Sequence, residues 1–269
     1  MTRDEIHAKL ESFVATIPEN RHPDLAGPIF EAPLVGCAAA DDPLFDRYRE
    51  VVGSFHRAPR EWLPSAATVI SWILPIAAAT RASNRQQQEE PSRDWALTRT
   101  FGEECNNRLR AGLVAWLQLH GHAAVAPVLH PEWGGVEVDG IGPASNWSER
   151  HVAYAAGLGT FSLNDGLITR TGIAHRCGSV VTDLALAPDP RPYAGVRDWC
   201  LFHARGTCAV CVKRCPVGAI SGAGHDKLRC RDYTYAVLQP RLKERYGVPI
   251  SGCGLCQTGV PCEARNPCG

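Results

Sequence analysis

Eight cysteines between residues 200 and 262 have the types and spacing of metal ligands. Cys208, Cys211 and Cys215 stand as C-x2-C-x3-C with Pro216 directly after, in the string CAVCVKRCPVGAI. Cys200 precedes them by seven intervening residues, and Cys230 stands alone. Cys253 and Cys256 form C-x2-C, and Cys262 follows after five more residues. Thiolates suit iron bridged by soft sulfide, and a C-x2-C step lets one tight loop present two of them to one cluster. The spacing points to two four-iron (4Fe-4S) clusters and so to electron transfer. Structural zinc is the competing reading, but zinc sites favour separated knuckles with mixed Cys and His ligands.

In two-cluster ferredoxins the cysteine before the proline serves the other cluster. By that logic Cys200, Cys208, Cys211 and Cys262 hold one cluster, and Cys215, Cys230, Cys253 and Cys256 the other. Two features depart from the usual run. Arg205 stands where a further cysteine is expected, and the last pair is spread as C-x5-C. Cys37, Cys105, Cys177 and Cys268 fall outside the pattern and read as small buried hydrophobes. Cys268 alone is near enough in sequence to substitute as a ligand.

A second constellation lies ahead of the cysteines, in VDGIGPASNWSERHVAYAAGLGTFSLNDGLIT, residues 138–169. It gathers Asp139, Asn146, Ser148, Glu149, Arg150, His151 and Tyr154, with glycines that permit close backbone approach to a ligand. Gly157 and Gly159 do not extend to G-x-G-x-x-G after a strand, so no dinucleotide site is argued.

The elements that must position these groups read as follows. Apolar residues at 6, 10, 13, 14 and 17 mark a helix over 3–17, with Thr2 as its cap. The Pro- and Gly-rich stretch 18–43 reads as loop, and a helix is expected over 43–53. Ala67–Ile76 is a central strand with both faces buried. Residues 81–93 look like an exposed loop before a long helix from Trp95 to Leu119. His122–Leu129 reads as a strand. Ser148 is placed to cap a helix ending at Gly157, and 166–171 is expected to pair with 179–184. Composition changes near Pro188–Pro192. The fold expected is therefore an α/β (α+β) N-terminal domain, 1–195, carrying a C-terminal ferredoxin-like module with two 4Fe-4S clusters, 196–269. So few apolar runs in the second part require metal for stability.

With 28 basic and 28 acidic residues the net charge is zero, which gives no whole-chain attraction to nucleic acid or anionic membrane. The N-terminus carries acids and no apolar core of a signal peptide, and no apolar run reaches a membrane span. A cytoplasmic location is expected, where cysteines serve metals more often than disulfides.

The order of these segments resembles the epoxyqueuosine reductase family, relatives of the reductive dehalogenases, over roughly residues 65–265. It rests on ATVISWILPI, Val138–Asp139, SERHVAYAAGLGTFSLNDGLIT, GSVVTDLAL, CPVGAI, HDKLRC with RDY, and CGLC. The resemblance implies a reductase with cobalamin in its N-terminal domain, fed by two four-iron clusters, and an aspartate as proton donor. That aspartate falls on Asp139, with Tyr154 and His151 as alternative donors. Asn146, Ser148, Glu149, Arg150, Gly157 and Gly159 are expected at the cofactor. The chain stops just after the second cysteine group, so the helical repeats of tRNA-acting members are not expected. A ferredoxin- or flavodoxin-type donor and a small-molecule or protein-bound substrate are the expected partners. The alternative is an electron-transfer or activating protein that reduces another protein's cofactor.

Overall fold

The computed structural model describes residues 1–139 and 142–269. Helix α1 (Arg3–Thr16) opens with a capping box, in which Thr2 Oγ1 accepts from Glu5 N and the Glu5 carboxylate accepts from Thr2 N. Its Ile6, Leu10 and Val14 are buried. Strand β1 (Leu34–Ala39) occupies part of the stretch expected to be loop. Its small residues, Gly36 to Ala39, carry little strand propensity, so tertiary packing decides it. A Cβ at Gly36 would collide with the carbonyl of Ala156.

Helices α2 (Pro43–Val51) and α3 (Pro59–Trp62) lead to β2 (Thr68–Pro75), whose eight residues are all buried. Helix α4 (Ala78–Arg85) stands where an exposed loop is expected. It forms because Asn84 and Arg85 are held from the far end of the chain, by Thr258 at 3.0 Å and Glu263 at 2.6 Å. The long α5 (Arg93–Leu119) is capped by Ser92. Then come β3 (Ala124–Val125), the hairpin β4 (Gly135–Val138) and β5 (Gly142–Ser145), and α6 (Glu149–Ala155). A hairpin of β6 (Gly159–Phe161) and β7 (Leu167–Thr169) precedes β8 (His175–Thr182).

The main sheet has the order β1-β2-β8-β3 and is antiparallel throughout. Period-two alternation sends Ile70, Trp72 and Leu74 to one face, against α1 and α5. Val69 and Ile73 point to the other, against α2 and α6. The pairing expected between 166–171 and 179–184 is not made. β7 pairs with β6, and β8 is claimed by β2 and β3. Between them Gly172, at φ 91°, passes so close to the backbone of Glu263 that no side chain would fit.

Beyond Trp199 the chain forms α7 (Leu201–Arg205), α8 (Val210–Arg214), the short ladder β9 (Ile220–Ser221) and β10 (Gly224–His225), and α9 (Lys227–Arg231). A π-helical turn, Asp232–Leu238, leads into α10 (Gln239–Tyr246). The apolar cluster here joins Trp199, Ile220 and Val260 to Leu163, Ile168 and Ile173 of the β6–β7 region. The cysteine-bearing segment thus shares its core with the preceding residues. Backbone bonds such as Ile173 N to Cys262 O, 2.8 Å, lock the two together. Among the described residues no helix is long and apolar enough to cross a membrane.

Candidate functional site

Cys200, Cys208 and Cys211 lie near Cys262, and Cys215 and Cys230 lie near Cys253 and Cys256. Burial pushes the Cys262 thiol up to about 12, helped by the neighbouring Cys211, Cys200 and Cys208. Cys211 is raised to about 11, by burial and the same Cys200 and Cys208. These four line one small apolar cavity. In the other set burial raises Cys253 to about 12, with Cys230 and Cys215 adding to it. Cys256 is raised well above its ordinary value by burial and by Cys253 and Cys230. Buried thiols that crowd in this way resist ionisation until a cation joins them, when the local logic inverts. All twelve cysteines are free. Among the described residues no three His, Cys, Asp or Glu side chains converge as ligands of one metal ion do. Cys268 lies close enough to Cys200 for that thiol to raise its own.

Local backbone explains how the thiols are presented. Gly206, at φ 66°, ends α7 in the left-handed conformation. Pro216 follows the end of α8, and Cys215 Sγ accepts the amide of Ala219 at 3.2 Å. Gly254, at φ 67°, presses against α5, and a Cβ there would lie inside the Trp95 indole. Only glycine lets the Cys253 loop come this near.

A cavity of about 550 Å³ opens where α5, the start of α6, β8 and Gln257 meet. Ser145, Trp147, Ser148, Glu149 and Arg150 form one wall. Arg99, Glu103, Asn107 and Arg110 of α5 form another, and His175, Arg176 and Cys177 of β8 a third. A smaller cavity of about 180 Å³ shares Arg99, His175, Arg176 and Gln257 with it and reaches Cys253. The two cavities therefore adjoin across Arg99, His175, Arg176 and Gln257, one reaching Cys253 and the other the 145–150 segment.

Glu149 clamps three elements. Arg110, 1% exposed on α5, donates to its Oε1 at 3.1 Å, and Ser179 Oγ of β8 donates to Oε2 at 2.6 Å. Trp147 Nε1 in turn donates to Ser179 Oγ at 2.9 Å. Burial works against the Arg110 charge, yet Glu149 and Glu103 hold the guanidinium above its ordinary value. His175 Nε2 lies 2.8 Å from the Leu167 carbonyl, which assigns the proton to that nitrogen and leaves Nδ1 facing Cys177 Sγ at 3.6 Å. Burial lowers His175 to about 4 and raises Cys177 to about 12, so the pair is a neutral imidazole beside an intact thiol.

Several expected site residues sit elsewhere. Asp139 is exposed at the end of β4, and the two residues after it, 140–141, lie outside those described. His151 and Tyr154 share the face of α6 opposite the cavity. The His151 ring packs on Phe161 and Tyr48, and burial holds it down to about 3, so it carries no proton to give near neutrality. Tyr154 stacks on Tyr193 with ring centres 5.1 Å apart. Asn146 ties its own hairpin, donating to Glu132 O at 2.8 Å and accepting from Gly134 N at 3.1 Å. Gly157 and Gly159 give room to backbone rather than to a ligand, since their Cβ atoms would meet Pro190 O and Ile168 O. Ser148 makes no cap bond; its Oγ pairs with His151 Nδ1 at 2.7 Å. The α5 residues were not singled out in sequence. Positions 99, 103, 107 and 110 nevertheless repeat at helical spacing, a polar stripe on a half-buried helix.

No protein-family model matches the chain. It is 30% identical over 131 residues to the epoxyqueuosine reductase of Bacillus anthracis, covering 47% of this chain and 32% of that one. It is 36% identical over 114 residues to a tetrachloroethene reductive dehalogenase of Desulfitobacterium hafniense, covering 41% and 20%. In three dimensions a crystallised epoxyqueuosine reductase matches with a TM-score of 0.52 at 20% identity, over 97% of this chain and 66% of that one. A catabolic reductive dehalogenase gives 0.55 at 15% identity, over 87% and 30%. The fold is thus the one these two groups of reductases share. By sequence the chain is similar to epoxyqueuosine reductases and to reductive dehalogenases, and it spans about a third of the length of the first relatives it matches.

Proposed function

We propose that this chain is an iron–sulfur reductase passing electrons through two 4Fe-4S clusters to a cofactor or substrate held in the larger cavity. Cys200, Cys208, Cys211 and Cys262 would hold one cluster, and Cys215, Cys230, Cys253 and Cys256 the other. The observation that carries this is that a cavity lined by Cys253 shares four wall residues with the larger cavity lined by Glu149. A protein that only carried electrons to a partner would have no use for an arginine-rich chamber behind its cysteines.

Cobalamin fits the donor set. Arg99, Asn107, Ser145 and Gln257 offer polar groups for an amide-rimmed macrocycle, and Trp133, 39% exposed, stands at the rim as a flat apolar surface. When bound, the corrinoid would supply a low-potential cobalt centre for reduction. One related dehalogenase is described as B12-dependent, and an epoxyqueuosine reductase has been crystallised with a tRNA stem loop. Arg110 and Glu149 fix the chamber walls, and Arg150 and Arg176 supply positive charge to an anionic intermediate or substrate. Cys177, as a thiol, is a proton source inside the chamber. In the Bacillus subtilis epoxyqueuosine reductase a catalytic aspartate loop is seen swung out of the active site. A ferredoxin- or flavodoxin-class protein would deliver the electrons, and the substrate would be a small molecule or a protein-bound group.

Anaerobic purification followed by iron, sulfide and cobalt analysis tests the reading. About eight irons per chain are expected for two four-iron clusters. Cys208→Ser and Cys256→Ser should each lose roughly half of them, and Cys268→Ala none. Iron-free protein carrying zinc would end the proposal. Eight irons with no corrinoid affinity would leave a reductase that works without cobalt.

A further inference from the structure

The smaller cavity is built for charge. Arg99 and Arg176 line it together, with Gln257 and the Gly252–Gly254 loop, and no carboxylate is in its wall. Glu103 is the nearest acid of α5, and it is taken by Arg110 at 2.7 Å and by Arg176 at 3.4 Å. Among the described residues Arg99 forms no ion pair. Thr98, 2% exposed, lines the same cavity, and its Oγ1 has no hydrogen-bond partner. An orphaned buried hydroxyl is uncommon and calls for a partner that the chain itself does not supply. Burial and the neighbouring Arg99 lower Arg176 to about 10, against the partial offset of Glu103.

Planar guanidinium forks match the oxygens of a carboxylate or phosphate, and such charge-assisted bonds are the strong ones. A volume of about 180 Å³ is several times the ~30 Å³ share of a water molecule. It takes one tetrahedral or planar oxyanion and not a macrocycle. We infer that this cavity is a subsite for a single oxyanion, phosphate or carboxylate, held by Arg99, Arg176 and the Thr98 hydroxyl. The subsite deepens the reductase reading and rests on it for its purpose: it anchors the charged end of a molecule whose reacting part lies in the larger cavity. The anion belongs either to the cofactor, as the phosphodiester of a corrinoid's nucleotide arm does, or to the substrate.

Calorimetric titration of the anaerobic, cluster-loaded full chain with inorganic phosphate, and separately with acetate, at constant ionic strength tests this. Binding is expected in the unaltered protein. Arg99→Gln should weaken it by roughly tenfold or more, the loss of a charge-assisted hydrogen bond. Thr98→Val, nearly isosteric, should weaken it several-fold, and both variants should keep the visible spectrum and melting point of the parent. No binding, or equal binding in parent and variants, overturns the subsite. Pre-loading with cobalamin separates the sources: phosphate excluded by the corrinoid assigns the site to the cofactor, and phosphate still bound assigns it to the substrate. Intact anion binding in a protein that reduces nothing would sink the reductase reading and leave the subsite standing. Reduction without anion binding would do the reverse.

Discussion

Replacing Glu149 with Gln keeps the shape of the side chain and removes the charge that faces Arg110. Taking one partner from a buried ion pair costs about 3–5 kcal/mol, because the other charge stays buried. Arg110 is 1% exposed, so that penalty applies here, but it retains Glu103 and Asn107, each at 2.7 Å. The amide can also still accept from Ser179. The loss therefore falls at the low end, about 3 kcal/mol. For a chain above 200 residues this lowers the melting temperature by about 6–12 °C, at roughly 2–4 °C per kcal/mol. The assay is thermal unfolding of the anaerobically purified protein by circular dichroism at one fixed scan rate. Glu149→Gln, Arg110→Gln and the double variant complete a cycle in which the double should melt well above the sum of the two losses. As a control, Glu137→Gln removes an exposed partner of Arg231 and should shift the midpoint little. A Glu149→Gln melting point within about 2 °C of the parent, or an additive cycle, would refute the clamp.

Two further outcomes follow from the geometry. Gly254→Ala should lower iron content and melting temperature together, because its φ of 67° and the Trp95 ring both exclude a Cβ; unchanged iron in this variant would show that the Cys253 loop can retreat from α5 at no loss. His151 is half-buried and neutral, with desolvation lowering its folded pKa to about 3 from 6.5. The unfolded chain then binds more protons below pH 6.5, so the His151 contribution is complete above that pH and fades as pH falls toward 3. Midpoints measured from pH 7 to 5 should fall less steeply in His151→Gln than in the parent, and equal slopes would count against a desolvated imidazole.

How much of this was legible in the sequence depends on how local the signal was. The Thr2 capping box, the all-buried β2 and the long α5 announce themselves through cap chemistry and periodicity within a single segment. β1 and α4 do not. Gly36–Ala39 is a strand because β2 pairs with it, and Ala78–Arg85 is a helix because Thr258 and Glu263 hold it. Neither partner is visible from the segment itself. The same limit shaped the site. Cysteine spacing picks out eight candidate ligands in sequence, since thiolate chemistry restricts the choices. The motif around 145–150 led to the cavity wall, but His151 and Tyr154 fall on the far face of a seven-residue helix, where a shift of two positions reverses the direction of a side chain. The α5 stripe was readable, but its charged residues also suit an exposed face, and only the docking of β8 and the C-terminal loops encloses them.

That docking bears on how the proposed reductase would be built. The cysteine-bearing segment shares its core with the rest of the chain: Trp199, Ile220 and Val260 pack with Leu163, Ile168 and Ile173, and Val248 packs with Ala96 and Leu97. The same segment supplies Gln257 and the Gly252–Gly254 loop to the chamber and the 180 Å³ cavity. Thr100 Oγ1 fastens that loop to α5 by donating to Ile250 O at 2.7 Å, and Asn164 Nδ2 donates to Cys256 O at 2.9 Å. Whatever orders the thiols therefore also closes one wall of the chamber. Metal binding that contributes folding energy to a small segment would then set the cavity's shape as well, so that the proposed reductase without metal would lose order in the wall of its chamber along with its source of electrons.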